Sequence, residues 1–285
     1  MAKRRRRKQT KTKLTSLIAV LIIAGLVWLA QDPSKFLNNS GGTSPQSSQV
    51  SQSSAGSLAS GSSQALTNSQ VEAEAPASSG SEKTSQNIVQ ADQLSGLTYR
   101  DKQIIAVNQN RPTFSKSELS LSRGAWQSFT NLDQNNRVGV ANAMLQQSLM
   151  PTTKRERLYI QPTGWHNRKI TINGHSDYLY NRCHLIGYQL TGENNNAKNL
   201  MTGTRSLNDP AMTYYENAVA AYLKETGHHV RYQVTPIFVG SELVARGIHL
   251  MGQSIEDGQV AFNIYIFNVQ ANYQINYQTG TSKAA

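Results

Sequence analysis

The pattern of apolar and polar positions divides the chain into three parts. Residues 14–30, LTSLIAVLIIAGLVWLA, form an uncharged apolar run. Residues 31–91 are rich in Ser, Gln, Gly and Ala and contain few aromatic or branched apolar residues. From 92 to about 280 apolar residues recur at the spacings of strands and helices. We therefore expect one folded domain over 92–280 and a short tail at 281–285.

Within 92–280 the spacing predicts a mixed domain. Alternating or clustered apolar residues predict strands over 104–114, 155–165, 168–181, 230–240 and 260–277. Asn173-Gly174 is a hairpin signal inside the third of these segments. The fold class that follows is α+β.

Two helices are predicted in the same domain. Apolar residues at helical spacing predict one over 137–150, ending at Met150-Pro151. The second begins with Asp209 as N-cap and Pro210 in its first turn, and Gly227 ends it.

The positive charge is concentrated at the N-terminus. Residues 1–13 hold eight Lys or Arg and no acid, which is +8 of the formal net charge of +11. The apolar run at 14–30 is near the lower limit of a membrane-spanning helix, roughly 17–25 residues. The charges before it predict that 1–13 is a basic cytoplasmic tail. A cleaved signal peptide is the alternative, but no clean small-residue cleavage site follows, so we expect an uncleaved single-pass anchor.

The segment that follows the anchor is predicted to be a disordered linker. Residues 31–91 cannot bury enough apolar surface to offset the entropy lost on ordering. The domain at 92–280 would then stand outside the cell on a flexible tether, or be secreted if the anchor is cleaved. Cys183 is the single cysteine, which excludes an internal disulfide framework and Cys-rich metal or redox sites.

The candidate chemistry lies in YNRCHLIGYQL at 180–190 and in the asparagine-rich segment 194–209. Hydrolysis of a phosphodiester needs a base for water, a cation on the phosphate and donors for the developing charge. A neutral imidazole at His184 suits the first task, and Arg182 is a permanently charged phosphate partner. Magnesium keeps most of its waters, so the single amide oxygen of Asn208 can suffice as its protein ligand.

The spacing brings these groups together. Arg182 and His184 are two residues apart on a predicted strand and share one face. Glu216 follows Asn208 by eight residues, slightly over two helical turns, so both point along nearly the same helix face. We therefore predict a metal–histidine hydrolase site where strand, loop and helix converge, and we attribute the asparagines to it.

These residues resemble those of the DNA/RNA non-specific endonucleases of the ββα-metal (His-Me finger) group, in particular the membrane-attached DNA-entry nucleases of Gram-positive bacteria. The family motif Asp-Arg-Gly-His stands here as residues 181–184, NRCH. Further similar pieces are NQNRPTF, MPTTKRERLYIQPTGW and YYENAV. The resemblance implies a ββα-metal nuclease core with a central antiparallel sheet flanked by helices.

The resemblance also implies roles for single residues. His184 would be the general base, Arg182 the phosphate contact and Asn208 the ligand of Mg²⁺, with Mn²⁺ as an alternative ion. Asn199 matches a second family asparagine in the catalytic set, and Glu216 would support the water shell of the metal. The products would carry 5′-phosphates.

The chain departs from the family motif at two positions. Asn181 replaces the usual Asp, and an amide can still accept a hydrogen bond. Cys183 replaces the usual Gly and would lie on the strand face opposite His184, buried. We expect activity to survive both changes. The same strand geometry argues against a Cys183–His184 dyad.

Basic residues outside the motif are interpreted as a sequence-independent track for phosphates. Those assigned to substrate binding are Arg205, Lys154, Arg155 and Arg168; Arg157 and Lys169 belong to the same basic group. The expected partners are DNA, with RNA as a second substrate, the membrane through the anchor, and a DNA-uptake machinery. Roles in nutrient scavenging or defence would use the same chemistry. A non-catalytic surface DNA binder and a structural wall protein are the alternatives.

Overall fold

The longest apolar segments of the domain pair into a six-stranded antiparallel sheet. A computed structural model describes residues 88–285. The strands lie in the order β1 (Ile104–Ala106), β10 (Ala261–Phe267), β9 (Gly247–Ser254), β8 (Val230–Ile237), β3 (Ala141–Leu145) and β2 (Trp126–Phe129). The three longest of these strands lie next to one another, and β9 pairs with both β8 and β10.

The two faces of the sheet bury different sets of side chains. Along β10, Phe262, Ile264 and Ile266 pack into the large core on one face. The alternate residues Tyr265 and Phe267 pack on the other face into a smaller cluster closed by the chain before and after β1. This alternation is the side-chain period of a strand, so one strand contributes to both cores.

The large core is covered by the main helix, α2 (Thr213–Thr226). Its buried residues include Tyr215, Val219 and Leu223, which recur at helical spacing. Gly227 ends the helix as predicted: it has φ +70° and its N–H donates to the Leu223 carbonyl. A short helix, α1 (Tyr188–Thr191), precedes it in the chain. Short helical turns occur at Ala91–Gly96, Asn108–Asn110, Gln147–Leu149 and Ala197–Asn199.

The start of α2 differs from the prediction. A widened turn, Leu207–Met212, leads into the helix, and Asp209 within it is extended. The regular helix therefore begins four residues after the predicted cap. Asp209 Oδ1 instead accepts a hydrogen bond from the Thr213 hydroxyl, 2.7 Å away.

Three small hairpins complete the described fold. β4 (Lys169–Ile172) and β5 (His175–Tyr178) are joined by Asn173-Gly174, both at positive φ, which confirms the predicted hairpin. β6 (Tyr180–His184) pairs with β7 (Leu200–Thr204), and α2 follows. β11 (Tyr273–Ile275) pairs with β12 (Ser282–Ala284), so the predicted tail includes a paired strand. The order β6, β7, α2 forms a ββα unit beside the large sheet.

One buried asparagine, Asn268, fastens this ββα unit to the sheet. Its side-chain Nδ2 donates to the carbonyls of Thr202 on β7 and Ala245 beside β9. Its Oδ1 accepts from the N–H of Thr204, at 2.8 Å. A single amide thus satisfies three buried backbone groups from two different sheets.

Two predicted elements were wrong. The segment 137–150 contains the strand β3 rather than a helix. Its neighbours β2 and β8 place it inside the sheet, where both faces are covered and the apolar residues need not alternate. The segment 155–165 contains no strand. β9 was not predicted, although it is central.

The predicted membrane anchor at 14–30 and most of the linker at 31–91 lie outside the described residues. Within residues 88–285, no helix is both long enough and apolar enough to cross a bilayer.

The position of Asn268 leads to a stability prediction. Asn268→Ala removes the partners of three buried backbone groups and should lower the free energy of unfolding by about 2–4 kcal/mol. Urea denaturation of residues 88–285 measures this change. Gln134→Ala, at an exposed amide, is the control and should change the value by less than about 0.5 kcal/mol. A loss at residue 268 as small as that of the control would contradict the proposed attachment.

Candidate active site

Side chains from β6, the widened turn and α2 meet in one cavity of about 240 Å³. His184 is the last residue of β6, Asn208 lies in the widened turn, and Glu216 is in the first turn of α2. Arg155 reaches the same cavity from the irregular segment before β4. We call this the histidine cavity. The convergence of strand, loop and helix therefore occurs as the spacing predicted.

His184 is held in one tautomer by the loop after α1. Its Nε2 lies 2.8 Å from the carbonyl oxygen of Asn194. A carbonyl can only accept, so Nε2 carries the proton and Nδ1 keeps its lone pair. Nδ1 lies 3.5 Å from Nη2 of Arg155. The nitrogen that can accept a proton therefore lies next to a fixed positive charge.

Burial keeps this imidazole neutral. Burial and the positive charge of Arg155 together lower the pKa of His184 to about 4, against the hydrogen bond to Asn194. Because the pKa lies below the ordinary 6.5, the contribution of this group to stability is present above pH 6.5 and is lost as pH falls towards about 4. At neutral pH His184 is a free base.

Glu216 is buried against the backbone of Gly187. Burial raises the pKa of its carboxyl to about 7, and the Gly187 N–H, which donates to it, opposes this rise. A Cβ on Gly187 would lie 2.7 Å from both carboxylate oxygens. A glycine is therefore needed for the carboxylate to occupy this place.

The cavity offers oxygen donors that suit a hard divalent cation. The Asn208 amide faces the cavity and makes no side-chain hydrogen bond within the described residues. The Glu216 carboxyl lines the same cavity. Residues 88–285 contain no group of three His, Cys, Asp or Glu side chains placed to hold a metal. The Asn208 amide oxygen and the Glu216 carboxyl fit Mg²⁺, which binds few protein oxygens and keeps most of its waters.

Asn199 does not line the cavity, and its prediction as a catalytic residue is corrected. It is fully buried, its Oδ1 accepts from the Ile186 N–H at 2.9 Å, and its Nδ2 donates to the Ile186 carbonyl at 3.0 Å. The oxygen and the nitrogen of the Asn199 amide therefore both bond to the backbone of Ile186. Asn199 therefore positions the turn after His184.

The predicted phosphate contacts occupy different places. Arg182 lines a second cavity, not that of His184; its Nε donates to the Ile160 carbonyl and its guanidinium stacks on Trp165 at 4.6 Å. Arg205 pairs with Asp177 and Asp209, so its charge is already balanced. Arg155 alone of the predicted basic residues reaches His184.

The remaining two predicted contacts lie away from both cavities. Arg168 donates to the Ser282 carbonyl at 3.3 Å and lies over the Tyr273 ring. Lys154 is exposed and lines neither cavity. Neither residue is placed by the structure beside the candidate base.

The asparagine run 194–196 has a role that the sequence interpretation missed. Besides accepting from His184, Asn194 donates through its side chain to the Glu156 carbonyl. The Asn195 amide donates to the Arg157 carbonyl and accepts from the Tyr159 N–H. These bonds hold the irregular segment that carries Arg155. The clustering of three asparagines was the available signal, but we attributed it to metal chemistry.

Cys183 lies on the opposite side of β6, as predicted. It is buried, and its sulfur contacts that of Met212 at 3.3 Å. Burial raises the pKa of its thiol far above the ordinary value, so it is not a nucleophile.

Comparison with known proteins now decides the family. A family model described as DNA/RNA non-specific endonuclease matches residues 119–256, which include both strands and the helix of the ββα unit. Residues 119–256 therefore contain a DNA/RNA non-specific endonuclease domain. The nuclease domain thus contains the fold that the NRCH motif implied.

Solved nuclease structures are similar to the same region. NucA from Streptococcus agalactiae with no metal bound is 28% identical, with a TM-score of 0.56 over 64% of this chain and 87% of its own. NucA with a magnesium ion bound is 26% identical, with a TM-score of 0.57 over 64% and 88%. Sda1 nuclease with a bound zinc ion is 26% identical, with a TM-score of 0.51 over 56% and 81%.

The environment of His184 can be tested by titration. In the metal-free domain, NMR of the imidazole should give His184 a pKa near 4, because the ring is buried beside Arg155. Arg155→Gln removes the nearby charge and should raise that pKa, though not to 6.5, since burial remains. A wild-type pKa at or above 6.5 would contradict the geometry. The exposed His175 serves as an internal reference.

The contact between Gly187 and Glu216 predicts a separation of stability from activity. Gly187 has φ −59°, so alanine is compatible with the backbone, but its Cβ would displace the Glu216 carboxylate. Gly187→Ala should reduce metal-dependent nuclease activity at least about tenfold, while thermal unfolding changes little. Gly96→Ala, at a site with no atom near the added Cβ, is the matched control. Equal activity of both variants would show that Glu216 needs no fixed position.

Proposed function

We propose that this chain is a magnesium-dependent endonuclease that hydrolyses DNA, with RNA as a second substrate, without sequence specificity. The observation that supports this best is the histidine cavity, where a neutral buried base, an unpartnered amide and a buried carboxyl face one space. Membership of the nuclease family and the magnesium-bound NucA neighbour are compatible with it.

In the proposed reaction His184 acts through Nδ1. This nitrogen takes a proton from a water molecule, and the water oxygen forms a bond to phosphorus. The bond from phosphorus to the 3′ oxygen breaks, that oxygen gains a proton from solvent to become a 3′-hydroxyl, and the phosphate stays on the 5′ oxygen of the following nucleotide. Arg155, next to Nδ1, holds the phosphate oxygens. The hydrogen bond from Nε2 to Asn194 keeps the ring oriented throughout.

The metal would be held by Asn208, with Glu216 acting through bound waters. A Mg²⁺ ion there supplies positive charge to the phosphate oxygens where negative charge develops. Glu216 would accept hydrogen bonds from those waters once it is ionised, and a nearby cation favours that ionisation. Mn²⁺ has similar preferences for oxygen ligands and is proposed as a substitute.

Lack of sequence specificity follows from the kind of groups around the site. The positive charge in the walls of the two cavities comes from Arg155, Arg157 and Arg182, and arginine contacts to phosphate carry no base information. Within the described residues no helix stands free of the sheet in the manner of a major-groove reader, since α2 is packed on the core.

We further propose that the domain acts outside the cell on the predicted anchor at 14–30. DNA uptake in transformation is the physiological role suggested by the resemblance to membrane-attached DNA-entry nucleases. Scavenging of nucleotides or defence against extracellular DNA would use the same site.

Plasmid cleavage by the domain tests the activity. Residues 88–285 with Mg²⁺ should nick, linearise and then degrade plasmid, and EDTA should stop the reaction. His184→Ala should lower the rate at least about a hundredfold, the contribution of a positioned base, and Asn208→Ala should raise the Mg²⁺ concentration required. His175→Ala, an exposed histidine outside both cavities, is the control. Retention of DNA without cleavage would favour a non-catalytic binder.

The same assay on whole cells tests the location. Intact cells that express the full chain should degrade added plasmid, and the activity should sediment with the cells. Activity found in the culture medium would instead show that the anchor is cleaved.

A further inference from the structure

A second, larger cavity adjoins the histidine cavity. It has a volume of about 570 Å³, and Arg155 and Asn208 line both. We call it the arginine cavity. Because the two share a wall, a polynucleotide with one phosphate beside His184 can place its next nucleotide in the arginine cavity.

The groups still free in this cavity are cationic or can donate. Arg157 makes no side-chain hydrogen bond or ion pair within residues 88–285. Arg182 uses its Nε on the Ile160 carbonyl but keeps its terminal nitrogens.

Apart from the Asn208 amide oxygen, which is assigned to the cation, the acceptors Asp177 and Asn167 in the wall are already used. Asp177 accepts from Arg205 at 2.8 Å and from the backbone of Tyr178 at 2.7 Å. Asn167 is bonded through both ends of its amide to the Tyr180 backbone. The groups left over therefore match an anion better than the edge of a base.

The side chain of Asn181 is a second, independent indication that this cavity binds a ligand. It lines the arginine cavity, and its Nδ2 is buried with no hydrogen-bond partner within the described residues. A buried unpaired donor costs free energy that a bound acceptor would recover. The terminal torsion of an asparagine is broad, so the amide can turn its N–H₂ towards a ligand oxygen. At this position the family motif usually has Asp, whose charge would repel an anion.

We infer that the arginine cavity binds a second phosphate, on the nucleotide next to the scissile bond, through Asn181 and Arg157. The inference rests on the proposed nuclease function. With a second phosphate site, the preferred substrate is a diester that carries a phosphate on the adjoining nucleotide. A dinucleoside monophosphate is then a poor substrate because it lacks that group.

Three synthetic dinucleotides test this inference, each with one cleavable bond. One has no terminal phosphate, one carries a 5′-phosphate and one a 3′-phosphate. For the wild-type domain, kcat/KM for one of the two phosphorylated forms should exceed that for the unphosphorylated form at least about tenfold, as expected for charge-assisted hydrogen bonds. This ratio is the measured quantity.

Substitutions test whether side chains of the arginine cavity cause this kcat/KM ratio. Asn181→Asp keeps the side-chain shape but replaces a donor with a negative charge, and the ratio should fall to near one. Arg157→Gln, at an exposed side chain that should not affect folding, should lower it about as much. Lys224→Gln removes one positive charge at an exposed residue of α2 that lines neither cavity, and should leave the ratio unchanged.

The outcomes separate this inference from the proposed function. If plasmid is cleaved but neither terminal phosphate raises kcat/KM, or if Asn181→Asp keeps the wild-type ratio, the second phosphate site is wrong and the nuclease stands. If Lys224→Gln lowers the ratio as much as Arg157→Gln, the effect is long-range charge and the site is also wrong. If no nucleic acid is cleaved, the proposed function itself fails.

Discussion

The site depends on buried amide side chains that replace regular backbone pairing. After β6 the chain leaves its strand partner, and Asn199 satisfies both the N–H and the carbonyl of Ile186 in the turn. This fixes Gly187, whose N–H meets the Glu216 carboxyl. Asn268 performs a similar task at β7 by joining the ββα unit to the sheet. Without these bonds, backbone groups would be buried unpaired, at a cost of about 1–3 kcal/mol each.

Burial then determines the chemistry of the two ionisable groups in the histidine cavity. Desolvation disfavours the charged form of each, so His184 stays neutral and Glu216 holds its proton up to about pH 7. The cavity without a cation thus contains one free base and one weak acid. Arg155 is then the positively charged side chain in the wall of the histidine cavity.

The sequence predicted the elements whose signals are local. The Asn173-Gly174 hairpin depends on two residues that accept positive φ, and the end of the helix at Gly227 depends on one. His184 and Asn208 line one cavity as predicted, although Asn208 lies in the widened turn and not on the regular helix that the periodicity assumed. β3 was mistaken for a helix because its burial on both faces comes from its neighbours in the sheet, which a single segment does not reveal. The role of Asn199 was missed because its partner is a backbone group thirteen residues away.

The irregular segment before β4 has a consequence for how such an enzyme can change. Arg155 and Arg157 stand on backbone that belongs to no strand and is attached by the side chains of Asn194 and Asn195. The imidazole, by contrast, is built into β6. Insertions or exchanges in this loop can therefore change how nucleic acid is bound while β6 keeps the imidazole in place. Selection could act on this loop and on the strand that carries His184 almost separately.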